Sequence, residues 1–232
     1  MTTKNELTEE VKSTFSTLWV TQNTNSVPIP SDLKLDANNA KHLGSATVLY
    51  ADLDGSTAMV DSLPWELSAE VYKTFLRCAS KIIRLVGGTI TAYDGDRVMA
   101  IFTGDSKNSD AAKCALQINY AIQMIVQPAF ETQYPHRNLK IKHVVGIDTS
   151  ELSAARIGVR GDNDLVWIGR AANHAAKLTN LSGFPTVISK DVYEALNDSS
   201  KFSNGVDMWE PTLWPDMNNA IIYRSTYLWK LP

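Results

Sequence analysis

The N-terminal part of the chain combines a short apolar stripe with a polar stretch. Apolar residues recur at helical spacing within 6–20 (ELTEEVKSTFSTLWV), which predicts an amphipathic helix. The residues on its apolar face are Leu7, Val11, Phe15, Leu18 and Trp19. The next segment, 21–39, is rich in Asn, Pro, Ser and Asp, which is typical of irregular structure. We therefore predict that residues 1–44 form an N-terminal helix and an irregular arm, with the stripe buried on the main domain or on a partner subunit.

From residue 45 onward, apolar strands alternate with amphipathic helices. The predicted elements are a strand within 45–57 that runs into an acidic turn, a helix at 65–86 before Gly87-Gly88, a hairpin at 89–102 around Asp94-Gly95, a long helix starting near Ser109, strands at 139–149 and 164–169, a helix at 169–181, a strand at 186–189, a helix at 191–196 and terminal strands at 221–231. This order predicts an α+β sandwich over residues 45–232, with helices packed on a mostly antiparallel sheet.

The composition of the 232 residues narrows the class of protein. A hydrophobic content of 44% and a charged content of 20% are those of a packed globular protein. The net charge of −3 gives no electrostatic reason to expect nucleic acid or an anionic membrane as a partner. Cys78 and Cys114 belong to no CxxC pair, so we interpret them as free thiols in a reducing cytoplasm. Neither a signal peptide nor an apolar run of about 18 residues is present in the sequence, so we expect a cytoplasmic protein.

Two aspartates stand where strands end. Asp52 closes the first core strand, and Asp96 follows the tight turn of the hairpin. Carboxylates in such places are hard oxygen ligands for Mg²⁺ or Mn²⁺, and two of them together suit a pair of ions in phosphoryl transfer. The turn Gly55-Ser56-Thr57 offers backbone N–H groups for a phosphate. Each aspartate alone is equally explained as a solvated turn residue.

Three sequence blocks carry a resemblance to a known family. Val48–Thr57 reads VLYADLDGST, Gly95–Ala100 reads GDRVMA, and Trp167-Ile168-Gly169 is followed by Asn173. In this order, over about residues 45–190, the blocks resemble class III nucleotidyl cyclases. The resemblance implies a cyclase sandwich with a ferredoxin-like core and a nucleoside triphosphate as substrate. It also implies that Asp52, Asp96 and the carbonyl of Leu53 hold two divalent ions, Mn²⁺ or Mg²⁺, with Gly55, Ser56 and Thr57 binding the substrate.

The resemblance further implies a homodimer with shared sites. The metal-binding aspartates come from one subunit, and an Asn with an Arg one helical turn later comes from the other. Asn173 matches the first of these catalytic positions, while Lys177 occupies the second. Lysine keeps the charge but lacks the bidentate fork of arginine, so Arg170 and Arg97 are alternatives for that role.

The positions that read the base depart from the purine cyclases. Ala92 stands where adenylate cyclases place a Lys, and Val166 where they place an Asp. This departure most resembles the pyrimidine cyclases of bacterial anti-phage systems, which make cyclic UMP or cyclic CMP as a signal for a separate effector. Tyr50 shares a strand face with Asp52 and matches an aromatic position tied to the base pocket in that group; a core aromatic is the other explanation. The functions left open are a uridylate, cytidylate or purine cyclase and an inactive nucleotide-binding module.

The remaining candidates have ordinary explanations. The four histidines show no metal-ligand spacing, and we interpret them as surface residues or as neighbours of a site. Trp209, Trp214 and Trp229 indicate a packed tail or a dimer contact. Lys230, on a predicted terminal strand, is a candidate phosphate contact and equally a solvated charge.

Overall fold

The computed structural model describes residues 3–232, which form a mixed α+β fold. The helices are α1 (Thr3–Ser16), α2 (Ser56–Ser62), α3 (Trp65–Leu85), α4 (Lys107–Ala121), α5 (Gln127–Gln133), α6 (Arg170–Leu178), α7 (Lys190–Glu194) and α8 (Asp198–Lys201). The strands are β1 (Val20–Asn23), β2 (Asn39–Asp54), β3 (Thr89–Asp94), β4 (Arg97–Phe102), β5 (Lys142–Val159), β6 (Asp162–Ile168), β7 (Thr186–Ser189), β8 (Phe202–Ser203), β9 (Val206–Asp207), β10 (Glu210–Trp214) and β11 (Ala220–Ser225). A π-helical turn, Ile122–Val126, joins α4 to α5.

One nine-stranded sheet organises the molecule. Its main order is β10-β11-β7-β5-β2-β4-β3, with β1 paired to β2 and β6 paired to β5. The β1–β2 and β5–β7 pairs are parallel, and the other pairs in this sheet are antiparallel. The predicted fold class is therefore confirmed: an α+β structure with a mostly antiparallel sheet and helices packed on it.

The central strand β2 separates two hydrophobic cores because its side chains alternate between the faces of the sheet. Leu49, Ala51 and Leu53 are buried in the larger core under α3 and α4. Val48 and Tyr50 belong to a smaller cluster beneath α6. Asp52 follows Tyr50 on this second face, so the alternation that buries the larger core also presents the carboxylate beside α6.

The N-terminal segment differs in part from its prediction. Helix α1 ends at Ser16 rather than at residue 20, because the Asn38 side chain donates hydrogen bonds to the carbonyls of Thr14 and Thr17, both at 2.7 Å. The predicted irregular arm contains β1, which lies along the first residues of β2. Since β2 begins at Asn39, the predicted boundary at residue 45 falls inside a strand. Met1 and Thr2 of the predicted segment lie outside the described residues.

The C-terminal strand prediction is correct only as far as Ser225, where β11 ends. Beyond it, the Asn119 side chain on α4 donates hydrogen bonds to the carbonyls of Thr226 and Tyr227 at 3.1 and 2.9 Å. The backbone N–H of Trp229 donates to the carbonyl of Leu116, also on α4, at 3.1 Å. These bonds to a helix replace strand pairing, so the tail runs along α4. Within residues 3–232, no helix is long and apolar enough to span a membrane.

Candidate active site

The two aspartates singled out from the sequence lie together at one end of the sheet. The pairing of β2 with β4 places Ala51 opposite Val98, so Asp52 comes level with the start of β4, where the hairpin turn carries Asp96. Burial raises the pKa of Asp52, and the nearby charge of Asp96 raises it further. Asp96 Oδ2 is buried and has no hydrogen-bond partner in the described part of the chain. An unpartnered buried carboxylate oxygen is costly, which makes this end of the sheet a candidate for a positive ligand.

Divalent cations fit this donor set. Carboxylate oxygens are the ligands that Mg²⁺ and Mn²⁺ prefer, and Mg²⁺ commonly uses one or two carboxylates together with substrate phosphates. Among residues 3–232, no group of three or more His, Cys, Asp and Glu side chains could hold a metal ion. The remaining ligands would therefore come from a backbone carbonyl, such as that of Leu53, and from the phosphates of a bound nucleotide.

Two other side chains act on the Asp52 carboxylate. Arg97 and a hydrogen bond from the Thr179 hydroxyl each partly counter the effect of burial on its pKa. Arg97 also donates a hydrogen bond to Asp94 Oδ2 at 3.2 Å, which accounts for Asp94 as a turn residue. Arg97 thus stands inside the site, on the strand after the turn.

The turn that follows Asp52 has the expected form. Gly55 adopts a left-handed backbone with a φ of 79°, which favours glycine, and α2 begins immediately after it at Ser56. The carbonyl of Gly55 accepts the N–H of Met59 at 3.1 Å, so the N–H groups of Ser56 and Thr57 precede the first helical hydrogen bond. The turn directly follows β2, which carries Asp52.

The candidate base-binding residues surround the smaller core. Tyr50 is half-buried, and the guanidinium carbon of Arg97 lies 5.8 Å from its ring centroid. Ala92 and Trp167 pack against the same cluster, which also contains the buried Met99. Val166, next to Trp167, is half-buried on β6 opposite Ala155. Ala92, paired with Met99 beside Tyr50, thus places only an alkyl group on this side of the sheet, whereas Val166 alternates with Trp167 along β6 and points to the other face.

Helix α6 presents Asn173 and Lys177 away from its own sheet. Its buried residues, which pack on β2 and β5, are Ala171, Ala172, Ala175 and Leu178. Asn173 and Lys177 are exposed one helical turn apart, and neither side chain forms a hydrogen bond or an ion pair within residues 3–232. The structure therefore does not bring them to Asp52 of their own subunit.

A buried carboxylate, which the sequence did not single out, holds the start of α6. Asp148 is fully buried on β5 and accepts hydrogen bonds from Arg170 at 3.2 and 3.4 Å. His174 Nδ1 lies 3.3 Å from the same carboxylate, and Arg170 also bonds Asp191. Arg170 is thereby engaged within its own subunit. The sequence feature that indicates a special role for Asp148 is its position in the otherwise apolar segment VVGID.

Two further expectations need correction. His143 is not a surface residue: it is buried against Phe75, and burial lowers its pKa to about 4. Its face of β5 also carries Ile141, Val145 and Ile147, an alternation that predicts burial. Lys230 lies on the tail along α4, on the sheet face opposite Asp52, and not on a strand. The expectation of a packed tail is confirmed for Trp229, which contacts the larger core.

Comparison with known proteins identifies full-length relatives. The chain is 59% identical to a uridylate cyclase of Burkholderia cepacia, over 99% of both chains. It is 48% identical to a uridylate cyclase of Xanthomonas perforans, over 98% of both chains. No protein-family model matches the sequence.

Solved structures agree on the fold. An adenylyl cyclase of P. aeruginosa superposes with a TM-score of 0.67 at 22% identity, covering 80% of this chain and 95% of that one. The guanylate cyclase domain of a protein from Catenaria anguillulae, solved in complex with GTP, gives a TM-score of 0.63 at 17% identity, covering 82% of this chain and 100% of that one. The three sequence blocks, the sheet that joins them and the full-length relatives lead to one conclusion: the chain belongs to the uridylate cyclases, within the class III nucleotidyl cyclases.

Proposed function

We propose that the protein converts UTP into 3′,5′-cyclic UMP and pyrophosphate, in a homodimer that uses two divalent cations, Mn²⁺ or Mg²⁺, at each site. The observation that carries the proposal is the Asp52–Asp96 pair, with its unpartnered buried oxygen, beside Tyr50 and the alkyl side chain of Ala92. In this reaction the 3′-oxygen attacks the α-phosphorus, the bond to the pyrophosphate oxygen breaks, and the 3′-hydroxyl proton leaves to water. When bound, the cations supply charge stabilisation for the attacking and leaving oxygens.

We assign cation binding, phosphate binding and stabilisation of negative charge to different residues of this chain. Asp52 and Asp96 hold the cations, and the backbone of Leu53 completes that side of the site. The backbone N–H groups of Gly55, Ser56 and Thr57 bind the phosphates at the turn. Asn173 and Lys177, from the opposite subunit, stabilise negative charge that develops at the α-phosphate.

The preference for a pyrimidine follows from what Ala92 lacks. A purine held against the alkyl group of Ala92 leaves its polar edge unpaired, at a cost of about 1–3 kcal/mol per group. A uracil is smaller, and its carbonyls can accept a hydrogen bond from the Tyr50 phenol. The full-length relatives carry the name uridylate cyclase, which supports the same choice.

The test is a direct product assay. The purified protein is incubated with UTP, CTP, ATP or GTP and Mn²⁺ or Mg²⁺, and the products are identified by mass spectrometry, with Asp52→Ala as the blank. We expect cyclic UMP as the main product and cyclic CMP second. Faster turnover of ATP or GTP than of either pyrimidine would overturn the base assignment, and no product from any triphosphate would leave the inactive nucleotide-binding module as the better reading.

The shared site is supported by the exposure of Asn173 and Lys177, which have no partner within their own described chain. A two-fold dimer supplies both halves of the site twice. An Asn173→Ala subunit and an Asp52→Ala subunit, each inactive alone, should together form one working site per heterodimer. A confirmed heterodimer without activity would contradict shared sites.

We further propose that residues 45–232 carry catalysis and that the cyclic nucleotide signals to a separate effector during phage defence in the cytoplasm. The free thiols of Cys78 and Cys114 fit a reducing compartment. Measuring cyclic UMP in cells before and after phage infection, with Asp52→Ala as the control, tests this role. Unchanged cyclic UMP during infection would contradict it.

A further inference from the structure

The hydroxyl of Thr179 lies between Asp52 and the end of α6. Thr179 is buried directly after α6, and its Oγ1 is 3.4 Å from Asp52 Oδ2. The same oxygen is 2.7 Å from the carbonyl oxygen of Ala176, in the last turn of the helix. One side chain therefore contacts both a carboxylate of the candidate site and the backbone of α6.

A threonine hydroxyl has a single proton and cannot donate fully to two acceptors. In this geometry the shorter contact, to the carbonyl of Ala176, is the stronger bond, and the contact with Asp52 is at the long end of the hydrogen-bond range. Because the same oxygen contacts both acceptors, rotation of the hydroxyl about the Cβ–Oγ1 bond redirects its proton from the helix to the carboxylate. Thr179 can thus respond to the state of Asp52 by changing its bond to the end of α6.

Helix α6 is closely packed on β5 near both of its ends. A Cβ added at Gly146 on β5 would lie 2.3 Å from the carbonyl oxygen of Ala175, so the helix rests directly on the strand backbone. At the other end, the backbone N–H of Ala171 donates to Ser150 Oγ at 2.9 Å. Close packing of this kind transmits displacements rather than absorbing them.

The outer face of the same helix carries Asn173 and Lys177. We infer that Thr179 is a positioning residue that holds Asp52 of one site against the end of the helix whose Asn173 and Lys177 serve the other site of the dimer. The inference rests on the proposed shared-site homodimer for its second half. Its first half, the link between Thr179 and Asp52, stands on the geometry within one chain.

The first test measures cation binding without nucleotide or turnover. Mn²⁺ is titrated into the protein, and free Mn²⁺ is followed by electron paramagnetic resonance, for wild type, Thr179→Val and Thr179→Ser. Valine keeps the shape and removes the hydroxyl, whereas serine retains the donor. Partners that orient a metal ligand typically contribute about 10–100-fold to affinity. We therefore expect Thr179→Val to weaken Mn²⁺ binding about tenfold or more and Thr179→Ser to bind within about twofold of wild type.

The outcomes separate positioning from folding. Circular dichroism and the thermal midpoint of unfolding of Thr179→Val verify that the variant is folded, and Thr179→Ser supplies the rescue. Wild-type Mn²⁺ affinity in folded Thr179→Val would overturn the inference. This result does not depend on which nucleotide is the substrate or on whether the sites are shared, so it is distinguishable from a failure of the proposed function.

The second test uses a heterodimer with one working site. The Asn173→Ala subunit supplies the working Asp52, and the Asp52→Ala subunit supplies the working Asn173. Thr179→Val in the first subunit breaks the contact at the working site, and we expect uridylate turnover to fall about tenfold. In the second subunit position 52 is Ala, so Thr179→Val has no carboxylate contact to break there. We expect it to lower uridylate turnover by less than about twofold. Equal losses in both placements indicate a general structural role and overturn the positioning of Asp52 by Thr179.

Discussion

The guanidinium carbon of Arg97 lies 5.8 Å from the centre of the Tyr50 ring, within reach of the Asp52 carboxylate whose pKa it lowers. A cation near an aromatic face is attracted to it, so Arg97 helps to fix the orientation of the ring. Tyr50 is only half-buried, and it belongs to the same cluster as the alkyl side chain of Ala92. This arrangement makes Tyr50 a strong candidate for contact with the base.

We predict that Tyr50→Ala lowers kcat/KM for UTP by about 10–100-fold, because it removes a ring face and a hydrogen bond together worth about 1–3 kcal/mol. Mn²⁺ affinity should change by less than about threefold, since no carboxylate is touched. Tyr50→Phe separates the ring from the hydroxyl. Tyr93→Ala, which changes an exposed tyrosine on β3, is the matched control and should retain activity. Wild-type kcat/KM in Tyr50→Ala would show that Tyr50 serves packing alone.

Asp52→Asn and Asp96→Asn should each abolish cyclic UMP formation, because neither leaves a pair of carboxylates for cations. The variants also give a stability readout. The pKa of Asp52 is raised by burial and by Asp96, so folding favours its protonated form. Protonation of Asp52 therefore contributes to the free energy of unfolding. The contribution is complete below the ordinary pKa of an aspartate and is lost as pH rises through the raised pKa. At neutral pH the ionised carboxylate therefore costs stability.

It follows that Asp52→Asn should raise the thermal unfolding midpoint of the metal-free protein at pH 7 and remove the increase that Mn²⁺ causes in wild type. Differential scanning fluorimetry with and without Mn²⁺ measures both effects. Asp54→Asn, two residues further along the same strand end, is the control and should keep the Mn²⁺-induced increase. If Mn²⁺ raises the unfolding midpoint of Asp52→Asn as much as that of wild type, Asp52 is not a ligand of the cation.

Lys177 should contribute to catalysis from the partner subunit. Lys177→Met removes one positive charge from an exposed position beside Asn173, and we expect kcat to fall about 100-fold, as for the loss of one transition-state donor. KM for UTP should change little, because the charge acts on the transition state. Lys177→Arg keeps the charge and should retain most activity. Lys190→Met, an exposed lysine paired with Glu194 at 3.4 Å, is the control. Unchanged kcat in Lys177→Met would show that a positively charged side chain other than Lys177 has this role.

The parts of the site that were predictable have local signals. The strand that carries Asp52 has alternating side chains and is followed by a glycine turn, and the hairpin with Asp96 has the Asp-Gly pair that favours a tight turn. Both depend on residues adjacent in sequence. In the structure, the pairing of β2 with β4 brings these two strand ends together.

The parts that were missed depend on distant contacts. Strand β1 consists of exposed residues and exists because its backbone pairs with β2, which a pattern of burial cannot reveal. The support of α6 by Asp148 and Thr179 joins side chains 22 or more residues apart. The burial of His143 follows from the apolar alternation of its strand face, which prevails over the polar character of its side chain.

We predict that buried His143 lowers the free energy of unfolding of the protein in mild acid. It is fully buried, its Nε2 has no hydrogen-bond partner among residues 3–232, and burial lowers its pKa from 6.5 to about 4. In the unfolded chain the imidazole binds a proton below about pH 6.5, whereas in the folded protein it stays neutral until about pH 4. The stability is therefore fully present above pH 6.5 and falls as pH drops from there, by up to about 3 kcal/mol at pH 4.

Urea unfolding of wild type and of His143→Leu at a series of pH values from 7 to 4 checks this. Leucine fills a similar volume and cannot bind a proton, so the variant should lose less stability between these pH values than wild type does. It should also remain folded at pH 7, because the imidazole that it replaces leaves a buried nitrogen unpaired. His136→Leu, at an exposed position, should keep the wild-type pH dependence. If His143→Leu and wild type lose stability in parallel, proton uptake on unfolding comes from other groups, and His143 is accessible to protons in the folded protein.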